Sequence, residues 1–294
     1  MASYNRADIM KYSIMSVIYQ TYKNWELIII GDCCTDNSKE VADSFKDNRI
    51  TFINLENNYG EQSYPNTYGM KLAKGQYISF LNHDDIWLPD HLESLLATFQ
   101  KTQCDMTYSL VGLYGNYNES SVICCSPRNI YEPHIIVPAS VWMMKSNIPT
   151  EVGYWKSAMG MITFPSEEYI YRIWKAGYNI IPTIKMTMIK PVSTSVKNSY
   201  FEKSQINEQI YIQIIEDKNF RENYLINIIN NSMSDFSLGI HFKKIIRETI
   251  RIISNHISKL FDIHPTLILN IVAYKGGKGK GINKLREVRG LNKL

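Results

Sequence analysis

The run Tyr77-Ile78-Ser79-Phe80-Leu81-Asn82-His83-Asp84-Asp85 passes within nine residues from apolar and aromatic side chains to an imidazole and two adjacent carboxylates. A buried strand rarely ends on two neighbouring carboxylates unless a cation or hydrogen-bond donors offset them. Lys74-Gly75 ahead of the run closes a helix and Trp87-Leu88-Pro89-Asp90 behind it opens another. The carboxylates are therefore expected at the carboxyl end of a strand, where open α/β sheets bind ligands. Hard oxygen donors suit a divalent cation that also takes phosphate oxygens, which makes Asp84 the first metal-ligand candidate and Asp85 the second. His83 is a further candidate, although a histidine beside carboxylates is more commonly hydrogen-bonded than metal-bound.

Two further constellations carry acidic residues. Ile28-Ile29-Ile30-Gly31-Asp32 runs into Cys33-Cys34-Thr35-Asp36-Asn37-Ser38, a strand followed by a polar turn and a helix start able to receive an anion or a ring carbonyl. Asp32 is either a turn residue or a ligand contact, and Asp36 reads first as a helix cap. In Pro165-Ser166-Glu167-Glu168, two carboxylates fall in the first turn of a helix, where compensation of the helix dipole is the default. The chemical alternative is that one of them faces a crevice as a general base, its pKa raised by burial or by its neighbour.

The elements that must position these residues alternate. Helical spacing spans Asp8 to Gln20; Trp25 to Ile30 reads as a buried strand; Asp36 to Phe45 is helical; Ile50 to Leu55 is a second strand; a helix ends near Lys74, and Gln76 to Leu81 is a third strand. This order predicts a parallel sheet covered by helices, with the turns of Asp32 and Asp84 bordering one crevice. A helix follows to about Gln100, then a strand from Met106 to Tyr114, a turn-rich insertion from Asn116 to Pro133, short apolar runs at His134 to Val137 and Val141 to Lys145, and an extended stretch from Ile180 to Ile189. From about Phe201 the pattern is helical, broken at Pro265 and at the Gly/Lys segment Gly276 to Gly281. The expected division is a first domain over 1–198 and a helical extension over 199–294.

Composition narrows the class. A 294-residue chain that is 45% hydrophobic and 20% charged can bury a full core. Five cysteines without a C-x-x-C spacing argue against a disulfide framework or zinc ribbon and favour a reducing compartment. No apolar stretch reaches the length of a membrane span, and no signal peptide is visible. Residues 240–294 hold 12 Lys and Arg against 3 Asp and Glu, a balance of +9 over a body of −5. Such a tail is either a solvated helical face or an attractor of anionic partners. Nucleic-acid binding through Lys275 to Lys280 is not expected, because the segment lacks both phosphate-loop spacing and an aromatic platform.

Taken together, Tyr4-Asn5-Arg6-Ala7-Asp8, the Ser16 to Tyr22 segment, Trp25 to Ile29, the Gly31 to Ser38 turn, Phe80 to Leu92 and the Glu167-Glu168…Arg172…Ala176-Gly177-Tyr178 helix resemble family 2 glycosyltransferases of the GT-A fold, in order and spacing over about residues 1 to 190. The resemblance implies a transferase moving a sugar from a nucleotide diphosphate sugar, UDP-sugars favoured, to a hydroxyl of a glycan or lipid-linked acceptor with inversion at the anomeric carbon. It implies that Tyr4 and Asp32 hold the nucleotide with Asn82 and His83, that Asp84, with Asp85 as second candidate, binds Mg²⁺ or Mn²⁺, and that Glu168 is the base. The cysteine pattern favours the cytoplasm, and the +9 tail is expected to keep the enzyme near anionic lipid at the inner face of the membrane.

Three departures from the family pattern stand out. The Val/Ile-rich first strand expected ahead of Tyr4 is missing, because the sequence opens Met1-Ala2-Ser3-Tyr4. Asn82 replaces an aspartate, and Glu168 stands where aspartate is more common. The alternative expectation is accordingly a non-catalytic nucleotide-sugar-binding remnant.

Overall fold

The computed structural model describes residues 1–114, 121–126, 128–191, 204–237 and, with short interruptions, 249–294. Its first layer is a parallel sheet in the order β1 (Ala2–Ser3), β2 (Leu27–Gly31), β3 (Ile50–Asn54), in register Ala2 with Ile30 and Leu27 with Ile50. Ile28, Ile29 and Ile30 make β2 a β-branched run, and all but Ile28 of its residues are buried, as expected for a strand covered on both faces. Helix α1 (Ala7–Ile18) buries Met10, Ile14 and Val17 at helical spacing, while α2 (Ser38–Ser44) and α3 (Ser63–Leu72) follow β2 and β3. Asp36 ties two helix starts together: Oδ2 accepts the Ala7 amide at 3.0 Å and Oδ1 the Ser38 amide at 3.1 Å.

The second sheet is mixed. Its strands β4 (Tyr77–Ser79), β5 (Ile86–Trp87), β6 (Met106–Tyr114), β7 (Ser121–Ile123), β8 (Trp142–Lys145) and β9 (Ile180–Pro191) are ordered β4-β8-β6-β9-β5, with β7 on β6. Only β6 and β9 pair in parallel; the other pairings are antiparallel. Helix α4 (His91–Thr102) packs on β9 and β6. The short helix α5 (Ile148–Val152) precedes α6 (Pro165–Lys175).

Asp32 and Asp84 were expected to follow parallel strands of one sheet, and here the structure differs. β2 and β4 belong to separate sheets, and the two-residue β1 pairs with β2 alone. A cavity of about 530 Å³ lies between them, lined by Leu27 and Ile28 on one side and Tyr77, Ile78 and Ser79 on the other. The Met1 ammonium donates to the Ile28 carbonyl at 2.7 Å, and burial pushes its pKa down to about 5.

Among the described residues, the helices named after β9 are α7 (Ser204–Glu216), α8 (Phe220–Ser237), α9 (Thr266–Ala273) and α10 (Lys280–Val288). They are not set apart from the sheets. Ile210, Tyr211, Phe220 and Tyr224 share one apolar cluster with Tyr12, Ile86, Met186 and Ile189. Arg221 donates to the Met186 carbonyl at 2.7 Å and pairs with Asp90. The expected boundary at 198 lies outside the described residues, as do 115–120 and 127 of the turn-rich insertion and 276 of the Gly/Lys segment. Among the described residues no helix is long and apolar enough to cross a membrane.

Candidate functional site

A second cavity, of about 330 Å³, collects residues from distant parts of the chain: Tyr4 after β1, Asp32 after β2, Asn82, His83 and Asp84 after β4, Ser166 and Glu167 in the first turn of α6, and Arg286 from α10. The strand ends supply the nucleotide and metal candidates, as the topology of an α/β sheet requires even with the sheet divided.

Asp32 is 4% exposed and holds the loop after β3. Its Oδ1 accepts the Tyr59 amide at 2.8 Å and its Oδ2 the Gly60 amide at 2.7 Å. Burial raises its pKa, and the two amides together with the nearby Arg286 charge oppose that rise. Each carboxylate oxygen still has a lone pair available for a donor on a ligand ring.

The two carboxylates after β4 part company. Asp84 lines the cavity. Asp85, expected as a second metal ligand, is fully buried: Oδ1 takes the Lys190 ammonium at 2.8 Å, and Oδ2 takes the Ser140 hydroxyl at 2.5 Å and the Asn82 side-chain amide at 2.9 Å. With both oxygens engaged, Asp85 braces the turn from below. Asn82, which lines the cavity, spends one side-chain donor on that brace. His83 lines the cavity, and its Nδ1 sits 3.2 Å from the Ala2 carbonyl.

The glutamate pair divides in the same way. Glu168, expected as the base, is not among the residues lining the cavity; Arg172 binds it through Nε and Nη2, each at 3.0 Å, and Lys156 at 2.8 Å. Glu167 is the one that lines the cavity. Its Oε2 accepts the Thr266 hydroxyl at 3.0 Å, the Phe164 amide at 3.4 Å and the Asn270 side chain at 3.5 Å. Burial raises its pKa against the opposing effect of these donors. His264, 2.8 Å from the Thr266 hydroxyl, is held down to about 4 by burial and stays neutral.

Among the described residues no three His, Cys, Asp or Glu side chains converge as a metal cage. The donor set fits a hard cation shared with a ligand, one carboxylate from the protein and the remaining oxygens from phosphates and water. Asp84 would hold such an ion.

Residues 1–122 match the model of Glycosyl transferase family 2. The UDP-Glc:alpha-D-GlcNAc-diphosphoundecaprenol beta-1,3-glucosyltransferase WfgD of Escherichia coli is 36% identical over 126 residues, 42% of this chain and 47% of that protein. The putative teichuronic acid biosynthesis glycosyltransferase TuaG of Bacillus subtilis is 33% identical over 109 residues, 36% of this chain and 43% of its own. The matches thus span less than half the length of these relatives. The crystal structure of S. aureus TarS 1-349 in complex with UDP-GlcNAc superimposes with a TM-score of 0.54 at 14% identity, covering 81% of this chain and 74% of that one. Its complex with UDP gives 0.52 at 15% identity, covering 98% and 88%. The fold is the GT-A glycosyltransferase fold.

Proposed function

We propose that the chain transfers a sugar from a nucleotide diphosphate sugar to a hydroxyl of a glycan or lipid-linked acceptor, with inversion. The observation that carries this reading is that Asp32, Asp84 and Glu167, from three separate elements, line one cavity. Asp32 receives the base, with a uracil-like ring donating its N–H to the carboxylate, and Tyr4 and Asn82 flank the nucleoside. UDP-sugars are the favoured donors, in keeping with the donor printed in the name of WfgD and the ligands of the TarS structures.

Glu167 takes the proton of the acceptor hydroxyl, whose oxygen forms the new bond to the anomeric carbon as the bond to the diphosphate oxygen breaks on the opposite face. Its described hydrogen bonds all fall on Oε2, which leaves Oε1 as the proton acceptor. Its raised pKa strengthens it as a base, and the ion-paired Glu168 serves to fix Arg172. Mg²⁺ or Mn²⁺ held by Asp84, when bound, neutralises the charge that develops on the departing diphosphate. The exposed Leu260 and Phe261 lie within the basic tail, which supports peripheral contact with anionic lipid at the inner membrane face.

The test is transfer or hydrolysis of UDP-, GDP- and dTDP-sugars by the purified chain with Mg²⁺ or Mn²⁺. Metal-dependent turnover abolished by Asp84→Ala is expected. An absence of binding to any of the three nucleotides would sink the reading.

A further inference from the structure

The C-terminal helix is remote in sequence from the strand ends, yet Ile282, Leu285 and Arg286 of α10 and Leu291 beyond it line the cavity that holds Asp32 and Asp84. Arg286 reaches out of the helix to two carbonyls. One guanidinium nitrogen, Nη1, donates to Gly60 and Nε donates to Asn292 at 2.6 Å. Gly60 is also the residue whose amide binds Asp32 Oδ2 at 2.7 Å. One peptide loop is therefore gripped from both sides, by a carboxylate at its amide and a guanidinium at its carbonyl.

The approach is close enough to dictate the residue at the contact. Gly60 has φ +69°, and a Cβ placed there would fall 2.0 Å from Leu294 Cδ2 and 3.1 Å from Arg286 Nη1. Only glycine accepts both the left-handed backbone and this contact. A charged residue lodged in such a contact does more than solvate a helix face. A planar guanidinium also spans two carbonyl acceptors in a fixed fork, which an ammonium on a flexible stem does not reproduce.

We infer that Arg286 is a donor-positioning residue: α10 forms a wall of the nucleotide-sugar site, and the guanidinium fixes the Tyr59-Gly60 loop so that Asp32 is held ready for the base. This inference rests on the donor-site reading given above. It assigns part of the basic tail to the site itself and separates that part from the chemical step, which lies at the Asp84 and Glu167 end.

The experiment is titration of the full chain with UDP in Mg²⁺, alongside initial rates against UDP-sugar, for the wild type, Arg286→Ala, Arg286→Lys and Lys284→Ala. Lys284 is the control: it sits on the same helix, pairs only with Glu287 among the described ion pairs and does not line the cavity. Arg286→Ala is expected to weaken UDP binding and raise donor KM by about tenfold, the equivalent of ~1.4 kcal/mol. Its kcat and acceptor KM are expected to stay within about threefold, because the interaction is made before the transition state. Arg286→Lys should fall between, and Lys284→Ala should match wild type. Unchanged UDP affinity in Arg286→Ala, or a fall in kcat at unchanged donor KM, overturns the inference. Should the alanine variant fail to fold, the same readouts on Arg286→Lys decide. Failure of the wild type itself to bind UDP, GDP or dTDP would overturn the donor-site reading, and this inference with it; a variant that binds like wild type overturns only the role of Arg286.

Discussion

The carboxylate of Asp85 and the ammonium of Lys190 meet at 2.8 Å across 105 residues of sequence, with Asp85 wholly buried. The pair joins the turn that presents Asp84 to the long strand β9. Removing one partner leaves the other charge buried and uncompensated, so Lys190→Ala is expected to cost on the order of 3 kcal/mol. Replacement of both, Asp85→Asn with Lys190→Met, should recover most of it, since a neutral amide can still bond Ser140 and Asn82. Chemical denaturation of the two variants checks this. Equal stability of Lys190→Ala and wild type would show that the pair is not what holds the turn.

The two glutamates at the start of α6 make opposite predictions. Burial raises the pKa of Glu167 above its unfolded value, so the native state binds more protons than the unfolded chain in that window. The stabilising contribution is full below the unfolded pKa and is lost as pH rises through the folded one. At neutral pH the ionised group is a cost, and Glu167→Gln should raise Tm at pH 7.5 while leaving it little changed at pH 4. The same variant should lose about 10²- to 10⁴-fold in kcat, the usual contribution of a general base. Glu168→Gln breaks a partly exposed pair with Arg172, worth about 0.5–1 kcal/mol, and should keep kcat within about tenfold. If the activities come out the other way round, Glu168 is the base.

Asp36 accepts the amides of the first residues of two helices and the Ser38 hydroxyl, and Asp36→Ala removes all three bonds. A cap of this kind contributes about 1 kcal/mol, so a loss of 1–2 kcal/mol is expected. UDP affinity should not change, because Asp36 does not line the cavity. A selective loss of UDP binding at full stability would move Asp36 from scaffold to ligand contact.

The alternation of strands and helices through residue 102 was legible in the sequence because each element carries its own period: Ile28 to Ile30 as a buried strand, Ile9, Ile14 and Val17 on one helix face, Phe80 and Leu81 ahead of the acidic turn. The placement of Asp32 and Asp84 around one crevice followed from the same pattern, since strand ends in α/β sheets gather at one edge. What could not be read depended on partners far away in the chain. Asp84 and Asp85 are neighbours of identical type, and it is the arrival of Ser140 from the turn ahead of β8 and of Lys190 from β9 that buries Asp85, while Asp84 lines the cavity. Glu167 and Glu168 are separated by Thr266 and Asn270 on one side and Arg172 and Lys156 on the other, and only Arg172 is a helical neighbour visible in sequence. Arg286 did not stand out from its neighbours in the tail, because within a run of positive charges nothing marks the one that folds back onto Gly60.

The groove between β2 and β4 yields a prediction about the amino end. The Met1 nitrogen already stands where a ladder amide would, donating to Ile28 while the Met1 carbonyl accepts from Ile30 at 2.8 Å, but it is a buried amine with a pKa near 5. Its unfolded value is about 8, so the unfolded chain binds more protons between the two. Stability from this group is therefore full above about pH 8 and is lost as pH falls toward 5. A variant carrying four or five Val/Ile-rich residues joined ahead of Met1 turns that amine into a peptide amide and is expected to lay a strand into the groove lined by Leu27, Ile28, Tyr77, Ile78 and Ser79. Burial of two or three β-branched side chains, net of their ordering, is expected to add on the order of 2 kcal/mol, several degrees in Tm. The gain should be larger at pH 6 than at pH 8.5, where the amine of the original chain is already neutral. A Tm that is unmoved, or that moves equally at both pH values, would mean that the groove takes no strand or that the Met1 amine is not the group that titrates.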